Sequence, residues 1–439
     1  MSRLDLVVEE TERDRFARTS EVQIGDKKIR TPNFCALIQY PWEFEAFMGL
    51  SLTSTATEQL GSYVMRVFDA SDILVPRLRI KGQTNLMGGN FTDELFSKFQ
   101  RQNILFVDPA LEYLFHEFHF QRFTKASQNL PIHRQITNYL NARERRRKNS
   151  SAKDYEKWKR ASHTSFWHEL DRNSKQRNDM IASFLDVELI CGADILIPPV
   201  PFVTSEGLLD IALRINKISQ AIATERAACA TYFLLQKSIL RHETMLDKII
   251  NFIKNDTNAI TVFKFKNLTL WESGCIVERE LFGKLKDAIT EVKRSNPKKL
   301  YMILESSYQS FLCGCFFDVV SSSLRGFDRD SNYGQTGYGA WFYPEKLCHI
   351  KFSDLPTIMK NNGGRLPCNC AYCQNLTIPK LKNMSLEEWR DGRRIHYTLT
   401  MNELMKMIDE AIRTRKIELT REFLINSEMR NLKDLIPRF

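Results

Sequence analysis

Several features are scarce or missing in this chain of 439 residues, and each absence excludes a class of protein. No window approaches 18 consecutive apolar residues, which excludes an ordinary membrane-spanning helix. The N-terminal residues are charged from Arg3 onward and lack the apolar core of a signal peptide, so we expect a cytoplasmic protein with no membrane partner. The length and the apolar content exclude a small disulfide scaffold, and we expect the ten cysteines of a cytosolic chain to be reduced. No GxGxxG or GxxxxGK pattern follows a predicted strand, which argues against the common nucleotide-binding folds.

Charge is unevenly distributed along the chain. Lysine and arginine outnumber aspartate and glutamate by 63 to 53, a net charge of +10. The segment Asn141–Arg160 holds nine basic and three acidic residues, a net charge of +6, with Tyr155 and Trp158 among them. Such a mixture favours phosphate contacts and stacking on nucleic-acid bases, whereas a solvated helix face is the alternative interpretation. The candidate contacts are Arg143, Arg145, Arg146, Arg147, Lys148, Lys157 and Arg160, together with Arg325 beside a Gly- and Tyr-rich loop.

Short apolar runs alternate with longer helical stretches, the pattern of an α/β fold with a mostly parallel sheet. The hydrophobic content of 43% and the charged content of 26% suit a folded core. The predicted strands are Asn33–Ile38, Ile73–Leu78, Ile104–Asp108, Ala193–Ile197, Ile260–Phe265, Leu300–Leu304 and Cys315–Val319. Predicted helices include Glu206–Ala223 and Glu280–Arg294. Strands separated by helices in this number favour a (β/α)8 TIM barrel over an open sheet.

Two of the predicted strands run into an aspartate, Asp108 in ILFVD and Asp318 in CFFDV. The C-terminal ends of the strands form the active-site face of a barrel. We therefore expect the two carboxylates to meet there as an acid and nucleophile pair. A helix N-cap or a turn residue is the alternative interpretation of each.

Three cysteines and one histidine form a candidate metal site. The run PCNCAYC places Cys368, Cys370 and Cys373 within six residues, and His396 follows 23 positions after Cys373. Three thiolates on a tight loop and one imidazole from a following helix make a tetrahedral Cys3His set. Sulfur ligands in that geometry favour Zn2+ in a structural role. Three free thiols and an unrelated histidine are the alternative.

These motifs resemble the tRNA-guanine transglycosylase superfamily, whose members are zinc-containing (β/α)8 barrels that exchange a guanine base for a 7-deazaguanine. The similarity is most specific over Phe311–Ile412, where FLCGCFFDVVSS resembles the family's LGCDLFDSAS strand and GRLPCNCAYC resembles its zinc loop. Weaker similarity covers RTPNFCAL from Arg30 and GADILIPPVPFV from Gly192. By position, the resemblance implies that Asp318 is the nucleophile and Asp108 the general acid/base, a division of roles that suits a covalent glycosyl-enzyme mechanism.

The branch of the family determines the expected substrate. A basic insertion without the archaeal RNA-binding extension resembles the bacterial DNA-guanine transglycosylases, which place 7-cyano-7-deazaguanine into DNA within a modification and restriction system. The resemblance thus implies DNA, a 7-deazaguanine base and a companion ATPase as partners, with tRNA as the alternative substrate. The base-binding motifs differ from those of the family, because DPALEY replaces its DSGGFQ and FKFKNLTL lacks its Gly-Gly loop. A non-catalytic paralogue that binds nucleic acid or a partner subunit is the second alternative.

Two stretches interrupt the barrel pattern and define the expected domains. One contains the basic cluster and the other the clustered cysteines. The predicted organisation is an N-terminal arm over 1–20 and a barrel over 21–342 that is interrupted by a basic helical insertion over 120–180. A zinc-binding subdomain over 343–402 and C-terminal helices over 403–439 complete it.

Overall fold

The structure is a computed structural model of the chain. It describes residues 21–24, 27–30, 34–38, 63–66, 105–109, 111, 135–136, 138–139, 152–190, 192–223, 227–266, 274–304, 317–323, 340–343, 348–370, 372–385, 388–389, 392–401 and 403. The predicted N-terminal arm, the predicted strand Ile73–Leu78 and the predicted helices beyond 403 lie outside these residues.

Strands and helices alternate along the described chain. The strands are β1 (Glu21–Ile24), β2 (Lys27–Arg30), β3 (Phe34–Ile38), β4 (Tyr63–Arg66), β5 (Leu105–Asp108), β6 (Ile195–Leu196), β7 (Ala228–Cys229), β8 (Thr231–Gln236), β9 (Ile260–Lys266), β10 (Leu300–Leu304), β11 (Val319–Ser323), β12 (Ala340–Tyr343) and β13 (Cys348–Lys351). The helices are α1 (Ala152–Arg172), α2 (Ser174–Ile190), α3 (Glu206–Ala223), α4 (Glu243–Asn255), α5 (Gly274–Ser295), α6 (Leu355–Asn361) and α7 (Ile378–Asn383). A further helix, called here the His396 helix, covers 392–401. Within this described part, no helix is long and apolar enough to cross a membrane.

Nine parallel strands form the central sheet, in the order β7-β6-β5-β4-β3-β11-β10-β9-β8. Strand β7 pairs with β6, strand β8 pairs with β9, and only Ala230 separates β7 from β8. The Ala230 N–H donates to the carbonyl of Leu196 at 2.8 Å, and Val203 forms a parallel bridge with Leu235 of β8. Strand β8 therefore contacts both β9 and the segment that follows β6. Two antiparallel hairpins, β1–β2 and β12–β13, lie outside this sheet.

The sequence of each element explains its place in the core. Strand β10 reads LYMIL and is buried at every position, as expected for a strand covered on both faces. Helix α3 buries residues at helical spacing, among them Leu208, Ile211 and Ile215, and packs against α2 and α4. The helices therefore cover the sheet with one apolar face each.

The predicted α/β fold with a parallel sheet is confirmed, and β10 and α3 have the bounds that the sequence predicts. The predicted strand Cys315–Val319 is wrong, because β11 begins at Val319 and continues through three serines. The N–H of Asp318 donates to the carbonyl of Tyr301 at 2.8 Å, and Oδ2 of Asp318 accepts from the Tyr301 N–H at 2.9 Å. Asp318 therefore precedes β11 instead of ending a strand.

The helical hairpin α1–α2 contributes its apolar face to the main core. Trp167 of α1 and Phe184 and Leu185 of α2 are fully buried in that core. Helix α2 ends at Ile190, and Gly192, with a φ of 83°, allows the sharp turn into β6. The predicted boundary of the basic insertion, at residue 180, thus falls inside α2.

Candidate metal centre and buried carboxylates

Cys368, Cys370 and Cys373 lie on a loop after α6, called here the metal-binding loop, which is shaped by hydrogen bonds to sulfur. The N–H of Cys370 donates to Sγ of Cys368, and the N–H of Cys373 donates to Sγ of Cys370, each at 3.4 Å. Cys373 opens a single turn of 3-10 helix over Cys373–Asn375. These bonds turn the three side chains toward one point.

His396 completes the set from the His396 helix. Its Nδ1 lies 3.6 Å from Sγ of Cys368, 3.3 Å from Sγ of Cys370 and 3.2 Å from Sγ of Cys373. All four ligand atoms lie within 4.8 Å of one another. Four donors at this separation can surround one ion tetrahedrally, so the set can bind a metal ion and is compatible with zinc.

The imidazole of His396 is fixed in the tautomer that a metal needs. Its Nε2 lies 2.6 Å from the carbonyl oxygen of Phe342, and because a carbonyl only accepts, Nε2 is the donor. Nδ1 consequently presents its lone pair to the thiols, an arrangement typical of a metal-bound histidine. The ring also stacks on Trp341, with centroids 4.7 Å apart at 16°.

The three thiols are close enough to influence one another's ionisation. Hydrogen bonds from Cys368 and Cys373 hold the pKa of Cys370 far below the usual thiol value. The hydrogen bond with Cys370 raises the pKa of Cys368 to about 12, and the bonds to both neighbours raise the pKa of Cys373. Their proximity therefore disfavours ionisation of all three thiols together unless a cation stabilises the thiolates. The donor set fits a divalent cation for that reason.

The His396 helix joins the metal-binding loop to the main core. Tyr397, Leu399 and Met401 belong to the core that contains the parallel sheet. A second apolar cluster surrounds the loop, and its members are Trp341, Leu355, Met359, Leu366, Cys373, Leu376, Leu381 and Trp389. The predicted zinc ligands Cys368, Cys370, Cys373 and His396 thus meet at the junction of two packed clusters.

Gly392 of the His396 helix packs directly against Tyr372. A Cβ at this position would lie 1.8 Å from the Tyr372 hydroxyl oxygen and 2.0 Å from its Cζ. We expect Gly392→Ala to displace the ring and to lower the free energy of unfolding by about 1–3 kcal/mol, measured by urea denaturation. Gly283→Ala in α5 is the matched control, because a Cβ there meets nothing within 4 Å, and it should stabilise by about 0.5–1 kcal/mol. Equal effects of the two alanines would contradict the packing argument.

Asp108 lies at the C-terminal end of β5 in a buried polar cluster. Its Oδ2 accepts from Nζ of Lys264 in β9 at 2.5 Å, and its Oδ1 accepts from the hydroxyl of Tyr232 in β8 at 3.1 Å. The side chains of Lys264 and Asp108 are 0% and 1% exposed. A buried ion pair of this kind is weak evidence for stability, since apolar residues of similar size would serve the core as well. The pair lies at the C-terminal end of a parallel strand, the end at which barrel enzymes carry their active-site residues.

A second carboxyl group, Glu188 of α2, is buried near Asp108. Its Oε2 accepts from the N–H of Ile197 at 2.9 Å, and the residue is completely buried. Burial raises the pKa of Glu188 well above its usual value, and the negative charge of Asp108 adds to the effect. Burial therefore favours the neutral form of Glu188, while Asp108 faces an ammonium group.

Asp318 lies at the other end of the parallel sheet. It precedes the first residue of β11, whereas Asp108 is the last residue of β5. Its Oδ1 forms a buried ion pair with Lys293 of helix α5, and its Oδ2 binds the second residue of β10. The expectation that both carboxylates meet at one edge of the sheet is therefore wrong. Asp318 instead ties α5 to the edge at which β10 and β11 begin.

The predicted nucleic-acid contacts are only partly described. Lys157 and Arg160 lie in α1, and Arg160 is exposed. The remaining candidates, Arg143, Arg145, Arg146, Arg147, Lys148 and Arg325, lie outside the described residues.

Sequence reasoning missed the partners of both aspartates. Lys264 is the most informative of these, because a lysine inside the apolar strand ITVFKFK is unusual and lysine is almost never fully buried unless it is paired. That signal predicts a buried acidic partner without identifying it. Tyr232 and Lys293 carry no comparable signal, since each lies in an ordinary strand or helix pattern.

A scan against protein-family models finds no match, and a search of curated proteins finds none either.

Proposed function

We propose that this chain is a zinc-containing (β/α)8 barrel of the tRNA-guanine transglycosylase type, which exchanges guanine for a 7-deazaguanine in DNA. The observation that carries the proposal is Asp108, a carboxylate at the C-terminal end of a parallel strand with an ammonium and a phenol bound to it. The catalytic residues of such barrels come from the C-terminal ends of the strands.

The pairing registers support a closed barrel of eight strands, if β7 and β8 are counted as one. From Ser323 the Cα partners lead around the sheet to Ala228 of β7, through Leu37, Val64, Phe106 and Ile195. From Val319 they lead in the other direction to Tyr232 of β8, through Met302 and Val262. The two paths begin four residues apart on β11, at Val319 and Ser323. They end four residues apart, at Tyr232 and Ala228, on the strand formed by β7 and β8 together. The two offsets add, so the stagger around the sheet is eight residues. Eight is the stagger of a (β/α)8 barrel.

Zinc is the ion that the Cys3His set favours, in a structural role. Three thiolates and an imidazole leave no open position in a tetrahedral site, so the ion would bind no substrate. Its role in the proposal is to hold the loop and the His396 helix in place.

The reaction needs a nucleophile that is ionised before it attacks. The Lys264 ammonium and the Tyr232 hydroxyl both stabilise the anionic form of Asp108. Asp108 would attack the anomeric carbon, forming an ester bond as the bond to guanine breaks, and the incoming base would then displace the ester. The nucleophile of the proposal is therefore Asp108, and Asp318 has a structural role.

DNA is the proposed substrate because of the basic segment Asn141–Arg160. Its net charge of +6 suits a phosphate backbone, and Arg160 is exposed on α1. A guanine within a duplex would have to leave the base stack to reach a buried carboxylate. The companion ATPase that the resemblance implies would act in the same modification system.

One observation favours a second candidate, a non-catalytic barrel that binds nucleic acid. Asp108 is only 1% exposed and its charge is balanced by Lys264. A carboxylate neutralised in this way can be part of the packed interior of the barrel without reacting. In that case the basic segment would carry the function alone.

Trapping of a covalent intermediate separates these candidates. Labelled DNA and labelled tRNA would be incubated with the wild-type protein, Asp108→Asn and Asp318→Asn, and the products resolved on a denaturing gel. We expect an adduct with DNA that Asp108→Asn abolishes and that Asp318→Asn retains at temperatures where the variant is folded. An adduct formed only with tRNA would change the substrate, and DNA binding without any adduct would establish the non-catalytic barrel. Loss of the adduct in folded Asp318→Asn would restore the sequence-based assignment of the nucleophile.

A further inference from the structure

Base exchange requires a proton donor as well as a nucleophile. Guanine leaves as a neutral base only if it receives a proton, and the incoming base must lose one. The sequence-based assignment gave this task to Asp108 and the attack to Asp318, but Asp318 binds Lys293 and Tyr301 at the opposite end of the sheet. With Asp108 as nucleophile, the proton has to come from a neighbour of Asp108.

We propose that Lys264 is this proton donor and acceptor, an inference that rests on the proposed function. Its Nζ lies 2.5 Å from Oδ2 of Asp108, and its side chain is completely buried. A group this close to the nucleophile is also close to any sugar carbon that the nucleophile attacks. Lys264 would thus be a catalytic residue that the two-carboxylate assignment does not contain.

The proton and charge balance of each half-reaction closes with Lys264 in this role. In the first half, an oxygen of Asp108 bonds to the anomeric carbon, the bond from that carbon to N9 breaks, and Nζ of Lys264 donates a proton to the departing base. In the second half, the neutral amine removes the N–H proton of the incoming base, which bonds to the carbon and releases the Asp108 carboxylate. The ion pair is restored and no external acid or base is consumed.

The same ion pair explains why the proton transfer coincides with the attack. While Asp108 is an anion, it stabilises the buried ammonium of Lys264. Once Asp108 is an ester, the ammonium no longer faces that negative charge, and burial then favours the neutral amine. Donation of the proton to the base therefore becomes favourable at the moment when the base needs it.

Two other neighbours are less suited to the task. Proton loss from the Tyr232 hydroxyl would create a phenolate in a buried position, which burial disfavours, whereas proton loss from an ammonium removes a buried charge. Glu188 reaches the sheet from α2, where its Oε2 accepts from the backbone N–H of Ile197. The contacts that the structure describes place Lys264, and not Glu188, in hydrogen-bond contact with Asp108.

A leaving group that needs no proton tests this role. A 7-methylguanine base already carries a positive charge, so it departs as a neutral base without a donor. Adduct formation would be measured on guanine DNA and on 7-methylguanine DNA with the wild-type protein and Lys264→Arg. Arginine keeps the positive charge beside Asp108 but does not release its proton. We expect Lys264→Arg to be about 100- to 10,000-fold slower on guanine DNA, the usual contribution of a general acid, and to approach the wild-type rate on 7-methylguanine DNA.

The controls separate the proton-donor role of Lys264 from the proposed function on which that role rests. Lys284→Met removes an exposed lysine that pairs with Glu243 and should leave both rates unchanged. If the Lys264→Arg protein does not fold, as judged by thermal unfolding, Lys264→Met is used in its place. A folded Lys264 variant that is active on guanine DNA, or equally impaired on both DNAs, would overturn the proton-donor role. A wild-type protein that forms no adduct with either DNA would instead overturn the proposed function itself.

Discussion

Replacement of Cys370 by serine is expected to reduce the metal content of the purified protein from one ion per chain to a small fraction of that. Cys370 lies between the other two thiols and accepts the N–H of Cys373, so its loss removes a ligand and a loop contact together. Structural zinc sites contribute an apparent binding free energy of about 10–16 kcal/mol in small peptides, which makes metal loss and local unfolding a single event. Metal content would be measured by mass spectrometry and unfolding by tryptophan fluorescence, because Trp341 stacks on His396.

A second cysteine provides the control for this experiment. Cys229 lies in β7, and its Sγ contacts the carbonyl of Ala230 at 3.6 Å, away from the metal-binding loop. Cys229→Ala should retain the full metal content. A Cys370→Ser protein with the wild-type metal content and melting temperature would refute the metal centre.

Replacement of Asp318 by alanine is expected to lower the free energy of unfolding by about 3–5 kcal/mol, the usual cost of removing one partner of a buried ion pair. The Lys293 side chain is 7% exposed, so water cannot replace the lost carboxylate fully. The variant also loses the acceptor for the N–H of Tyr301. Urea denaturation at neutral pH would measure the change.

Two further variants show whether the effect comes from the buried pair. The double variant with Lys293→Met and Asp318→Leu replaces both charges by apolar side chains. It should recover the part of the lost stability that comes from the unpaired Lys293 ammonium, but not the part that comes from the Tyr301 N–H. Glu243→Ala removes the carboxylate of an exposed pair with Lys284, and we expect a much smaller change. An Asp318→Ala protein no less stable than Glu243→Ala would contradict the structural role of Asp318.

The metal ligands could be predicted from the sequence because most of them lie close together along the chain. Three of its ligands lie within six residues, so the loop needs little of the remaining fold to bring them together. His396 required one further step, a helix that returns to the loop. The tautomer of His396 could not be predicted, because it depends on the carbonyl of Phe342, 54 positions earlier.

The carboxylate site could not be predicted, because it depends on register between distant strands. Lys264 meets Asp108 across 156 positions, and nothing in either local pattern specifies the partner. The position of Asp318 was misjudged for a different reason. The run CFFDVV is apolar on both sides of the aspartate, and the serines that continue β11 obscure the strand. Only the hydrogen bonds to Tyr301 fix where that strand begins.

The place of β3 between β4 and β11 also has a consequence for biosynthesis. Phe34 of β3 pairs with Val320 of β11, which the ribosome adds 286 residues later (320 − 34 = 286). At a translation rate of about 5–20 residues per second, one edge of β3 stays unpaired for roughly 15–60 s before β11 is synthesised. An open strand edge can pair with other chains during that interval. We therefore expect chaperones that protect the nascent chain, and a lower expression temperature, to raise the yield of folded protein.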